Sequence, residues 1–141
     1  MKFPTIAQLR TRDDFLNHLN SLPTKFSFEL AQDFATDTFL EPYKLDNGFQ
    51  IGNRFCIHPM EGWDGTEDGR PTEHTFRRWR NFGKSGAKLI WGGEAVAVMH
   101  EGRANPNQLM LNKSTFNEMD NLLKELKKAH QENGFSVDDL Y

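Results

Sequence analysis

Apolar residues recur at helical spacing in three stretches of this chain. After Thr11, the run Arg12-Asp13-Asp14 places carboxylates in a first helical turn, where the helix dipole favours them. Phe15, Leu16 and Leu19 then form an apolar stripe that ends near Leu22-Pro23. Thr72 caps a second helix, from about Glu73 to Phe82. Phe76 and Trp79 share one face with Phe82 beside them, and Gly83 and Gly86 end it. Ser114 caps a third helix in which Phe116, Met119, Leu122, Leu123, Leu126 and Ala129 recur, and Asn133-Gly134 stops it.

Between these stretches the period changes. Asp46-Asn47-Gly48 is a hairpin turn, because Asn and Gly tolerate positive φ; Tyr43 and Phe49-Gln50-Ile51 supply its arms. From Lys25 to Thr38, Phe and polar residues alternate without a clear period. Arg54-Phe55-Cys56-Ile57 reads as a short buried strand running into Pro59-Met60-Glu61-Gly62-Trp63-Asp64-Gly65. Lys88-Leu89-Ile90-Trp91 reads as another, entering Gly92-Gly93-Glu94-Ala95. Strand, glycine-rich loop and helix, given twice in order, predict an α/β fold with a parallel sheet or barrel. Its ligands bind at the carboxyl ends of the strands. Glycine there lets the backbone approach a flat ring or a phosphate, so His58 to Trp63 and Gly92 to Ala95 are the candidate binding edge. Neither loop has the GxGxxG or P-loop pattern, so spacing alone does not identify a nucleotide.

Composition narrows the classes. The 141 residues suit one ordinary domain, and 37% hydrophobic residues is low for a compact globule. The mean hydropathy of −0.70 points the same way. Seventeen basic and 20 acidic residues are interspersed, so no face is set up for nucleic acid or anionic lipid. The longest apolar run, Ala95 to Met99, is too short for a bilayer span or a signal core. The single cysteine, Cys56, excludes an internal disulfide and suits a reducing cytoplasm, where the parent protein is expected.

Other candidate chemistry has simpler explanations. His58, Glu61, Asp64 and His74 lack the spacing of a metal-ligand motif, so no metal is expected. Arg77-Arg78-Trp79-Arg80 reads as one buried Trp among solvated arginines rather than a nucleic-acid patch. Cys56 is expected to be a small core residue. Glu94 is expected to pair with Arg103 or Arg54 and brace the loops.

The ordered pieces NRF with PM, then KLI, GEA and EGRA, resemble the N-terminal part of the Old Yellow Enzyme family, the NADH:flavin oxidoreductases. The resemblance spans about the last hundred residues and implies a (β/α)8 barrel that binds FMN at its mouth. By position, His58, Pro59, Met60 and Glu61 would contact the flavin from the first loop and Ala95 from the second, with Trp63 as an aromatic over the substrate. Where this chain has Glu61, the family commonly carries Thr or Cys. A carboxylate there repels the charge that builds on reduced flavin unless it is protonated or turned away.

The resemblance therefore implies residues 1–38 as a helical N-terminal extension and 39–141 as an incomplete FMN-binding barrel domain. That domain would comprise a floor hairpin and the first two β/α units. A closed barrel takes about 250 residues. Val137 to Tyr141 reads as the approach to a third strand, and the family's remaining flavin and substrate groups lie on later strands. The expected function is that of an FMN-dependent oxidoreductase resembling ene-reductases. Such enzymes pass hydride from NAD(P)H through FMN to an electron-poor alkene or similar small-molecule acceptor. The catalytic residues would lie outside this chain, which alone would be inactive. The alternative is a complete small binding or interaction module derived from a barrel.

Overall fold

The computed structural model describes residues 3–25 and 38–141. The chain forms two compact units, Met1–Gln32 and Asp33–Tyr141. In the first, a 3-10 turn at Ile6–Gln8 precedes helix α1 (Arg12–Ser21). Thr11 caps α1: its hydroxyl accepts the Asp14 amide at 3.1 Å, while the Asp14 carboxylate accepts the Thr11 amide at 3.0 Å. The apolar stripe does not form a core of its own, since no residue of α1 is buried among the described residues. For residues 26–37, the alternating stretch lies outside the described residues.

The second unit is mixed α/β. Strands β1 (Tyr43–Lys44) and β2 (Gln50–Ile51) form the antiparallel hairpin, Tyr43 opposite Ile51. Gly48 turns it at φ +89°, and the Asn47 side chain accepts the Phe49 amide at 2.9 Å. Strand β3 (Cys56–Ile57), helix α2 (Glu73–Lys84) and strand β4 (Leu89–Ile90) follow, with the two strands parallel and Cys56 beside Leu89. This is a βαβ unit. Both strands are shorter than the sequence suggested and half-buried rather than buried; Phe55, at the start of the first expected strand, is exposed. Beyond them, the Tyr141 amide donates to the Lys88 carbonyl at 2.8 Å and its carbonyl accepts from Ile90 at 2.9 Å. Those bonds on either side of Leu89 are a parallel ladder position.

Helix α3 (Phe116–Glu132) packs on α2 around a core of Trp79, Leu109, Leu122 and Leu126. Its stripe is narrower than its spacing suggested, with Phe116 62% and Leu123 42% exposed. The cap position belongs to Thr115, not Ser114, and the Thr115 hydroxyl bonds the Met110 carbonyl at 2.6 Å instead of the helix amides. Gly134 closes the helix end at φ +83°. Gly83 does not end α2 but lies within its last turn, buried, where a methyl group would collide with the Leu126 carbonyl of α3. Its absence of a side chain allows the two helices to approach.

The amino end of β4 is closed by a buried polar cluster. The ammonium of Lys88 lies 2.6 Å from the Asp139 carboxylate, 2.6 Å from the Ser136 carbonyl and 3.1 Å from His130 Nε2. His130 Nδ1 lies 2.8 Å from the Gly83 carbonyl, so the proton sits on Nδ1 while Nε2 accepts from Lys88. Every strong donor and acceptor of Lys88 and His130 is thereby used.

Candidate functional site

Parallel pairing brings the carboxyl ends of β3 and β4 to one edge, and each strand enters a glycine-rich loop there. The Trp91 amide donates to the Ile57 carbonyl at 3.0 Å. One loop further out, the Ala95 amide donates to the Met60 carbonyl at 3.3 Å, joining the two loops directly. Gly92 and Gly93 both have positive φ, +66° and +69°, and a Cβ on Gly93 would lie 2.5 Å from the Trp79 indole. Only glycine fits that turn over the buried ring.

His58, Met60, Glu61, Gly62 and Trp63 line an open concavity of about 550 Å³, with Arg78 in its wall. Met60 is 73% and Trp63 64% exposed; His58, Glu61 and Ala95 are exposed and Pro59 is half-buried. The structure thus brings all six sequence-identified positions to the two joined loops, five of them on the surface. Of the residues weighed as metal ligands, Asp64 is committed to Arg78, and His74 is exposed in the first turn of α2.

Beneath these loops lies a charged network centred on Arg78. Its guanidinium makes a two-pronged contact with Asp64, at 2.7 and 3.1 Å, and reaches Glu94 Oε2 at 2.5 Å. Trp79 Nε1 donates to the same Glu94 oxygen at 3.3 Å. Arg78 therefore ties the first loop, through Asp64, to the second, through Glu94. The bracing expected of Glu94 is present, but its partner is neither Arg103 nor Arg54. Arg103 serves backbone carbonyls and Arg54 pairs with Glu41 at 3.7 Å. Nor are the arginines of α2 uniformly solvated: Arg77 is exposed, whereas Arg80 pairs with Glu73 and Glu125.

The network holds its members in different protonation regimes. The Glu94 side chain is fully enclosed, and its Oε1 has no hydrogen-bond partner among the described residues. Burial pushes its carboxyl above the usual range, although Arg78 and Trp79 oppose the shift. For Asp64, burial also acts upward, but the bonds and charge of Arg78, with a bond from Thr75, outweigh it and hold the carboxyl low. Burial acts to lower Arg78, and its two carboxylates together outweigh that and raise it.

A third segment supports both loops from the far side. Arg103 bonds the carbonyls of Thr66 at 3.0 Å, Glu67 at 2.5 Å and Gln108 at 2.6 Å. Asn105 Nδ2 donates to the Gly62 carbonyl at 3.0 Å, and Gln108 Nε2 donates to the Ala95 carbonyl at 2.9 Å. Both amide residues are buried. Sequence reasoning did not identify Arg78, Asn105 or Gln108 as site residues. The one signal for the last two was a polar, aperiodic stretch, GRANPNQ, in a place where an ordinary surface loop would serve.

No family model matches the chain, and no curated protein matches it. No helix among the described residues is long and apolar enough to cross a membrane.

Proposed function

We propose that the Asp33–Tyr141 unit is part of the flavin-binding wall of an FMN-dependent oxidoreductase that uses NAD(P)H to reduce an electron-poor alkene or similar small acceptor. The observation that carries this reading is the bond from the Ala95 amide to the Met60 carbonyl, which makes one edge of the two loops that resemble flavin-contacting loops. The residues fit such a group. Gly92 and Ala95 are exposed, Gly92 adds no Cβ to the approach and Ala95 only a methyl, while Gly93 lets the turn close over Trp79. In this reading β3, α2, β4 and α3 are two β/α units of a barrel, and the ladder position of Tyr141 suits a further parallel strand.

His58, Pro59, Met60, Glu61 and Ala95 would hold FMN, and Trp63 would offer an aromatic face to the substrate. When bound, FMN supplies two-electron transfer chemistry. The chain's own part would be to position and shield: the two loops would hold the cofactor, and Met60 and Trp63 would cover one side of it. Arg78, Asp64 and Glu94 act beneath the loops by fixing their spacing. Electrons would enter and leave in a reducing cytoplasm, which suits the free thiol of Cys56.

The test uses the product of the complete reading frame that contains these residues. It should purify with stoichiometric FMN and oxidise NAD(P)H in the presence of an electron-poor alkene. Ala95→Trp, which fills the approach, should abolish flavin retention while leaving the fold intact by circular dichroism. A purified product that neither carries nor takes up FMN would sink the reading.

A further inference from the structure

The segment Arg103–Gln108 has no place among the proposed cofactor contacts, yet two of its side chains are buried amides aimed at the two loops. Asn105 Nδ2 donates to the carbonyl of Gly62, 43 residues away, and its Oδ1 accepts the Asn107 amide at 2.9 Å. Gln108 Nε2 donates to the carbonyl of Ala95, and its Oε1 accepts the Ala104 amide at 2.7 Å. Each amide group thus gives one hydrogen bond to a loop and uses its oxygen to fix its own segment. The segment is itself anchored: Ala97 and Met110 form a parallel bridge, and Arg103 holds the Thr66 and Glu67 carbonyls. A surface loop that merely connected two elements would have no need of buried amides at both ends.

We propose that Asn105 and Gln108 are positioning residues that jointly set the separation of the Gly62 and Ala95 carbonyls, and so hold the first loop and the second in register at the Met60–Ala95 contact. As a claim about loop geometry it stands without a ligand; as a claim about cofactor affinity it rests on the flavin reading above. The amide chemistry is specific. A neutral side chain must donate to one carbonyl and accept from one backbone amide at once, which Asn and Gln do and which neither an ionised acid nor an alkyl chain can. Loss of the donor leaves the buried Gly62 carbonyl, or the partly buried Ala95 carbonyl, without that partner.

That requirement supplies the experiment. Gln108→Glu keeps shape and acceptor but loses the donor while the introduced carboxyl is ionised; once protonated, it regains an O–H donor toward the Ala95 carbonyl. Arg103, whose guanidinium holds the backbone carbonyl of residue 108, is a charged neighbour. Amide hydrogen-exchange protection at Ala95 should fall roughly tenfold in Gln108→Glu at neutral pH, the scale of one lost hydrogen bond, and return on acidification. Gln108→Leu should lose that protection at every pH, and Asn105→Asp should show the reversible pattern of Gln108→Glu. Protection that is unchanged in Gln108→Glu, or lost equally at all pH values, would overturn the proposal. If Gln108→Leu fails to fold, the pH reversal in Gln108→Glu decides alone. In the complete reading-frame product, FMN affinity should follow the same pH pattern. A wild type without FMN would end the flavin reading and leave the exchange result intact.

Discussion

At the amino end of the β3–β4 pair, Lys88 gives its three donors to His130, Ser136 and Asp139, and His130 Nδ1 donates to the Gly83 carbonyl. At the carboxyl end, Arg78 is divided between two carboxylates, one of which keeps an oxygen without a partner among the described residues, and Met60 and Trp63 stand in solvent. Both clusters are polar and enclosed, but only the first is satisfied. The difference follows the general division of parallel α/β folds, in which one end holds the elements together and the other is kept open for ligands. A buried carboxylate without full hydrogen bonding costs stability, and its presence behind the glycine loops is what a plain core would not require.

The largest expected effect comes from separating the charges at the open end. Arg78→Met leaves Glu94 enclosed with only Trp79 and should cost about 3–5 kcal/mol, read from urea unfolding. Adding Glu94→Gln to that variant should restore part of the loss, and no restoration would mean that the charges are not what couples the loops. At the closed end, Lys88→Met leaves the Ser136 carbonyl and His130 Nε2 without their donor. It should cost about 2–3 kcal/mol, less than the first because Asp139 is partly exposed and can rehydrate.

The two carboxylates at the open end should also be separable by pH. Glu94 holds its proton more tightly folded than unfolded, so its contribution is fully present below its usual 4.5 and is lost as pH rises through the raised folded value. Asp64 has the opposite sign: its contribution is present above its usual 3.8 and is lost as pH falls through the lowered folded value. Unfolding free energies across pH should therefore show Glu94→Gln removing the decline on the alkaline side of 4.5. Asp64→Asn should remove the acid-side loss. Identical profiles for the two variants would contradict the division of roles. The smallest effect belongs to neither end: Asp120→Ala removes an exposed pair with Lys124 on α3 and should cost no more than about 0.5 kcal/mol.

Local chemistry made much of this legible from the chain alone. Asp46-Asn47-Gly48 specifies its turn through side-chain and φ preferences, Thr72 specifies a helix start, and Gly134 a stop; each depends on near neighbours only. The candidate loops were legible because glycine and proline interrupt strands in a recognisable order. Tertiary contacts were not. Arg78 looked like a solvated member of an arginine run, because nothing in its neighbours reveals that Asp64 and Glu94 fold against it. Gly83 looked like a helix stop, since its closeness to Leu126 exists only once α3 is in place. Lys88 opened an apolar strand and gave no sign of being enclosed, and the acceptors that permit this, His130, Ser136 and Asp139, lie more than forty residues away.

The most direct measurement of the central claim is a titration of FMN into the 141-residue chain, followed by backbone amide chemical shifts, which detect weak binding. Shifts concentrated at His58 to Gly62 and Gly93 to Val96, with Lys88 and His130 unmoved, are the result this account predicts. Shifts centred on the Lys88–His130 end, or none at the highest FMN concentration, would contradict it.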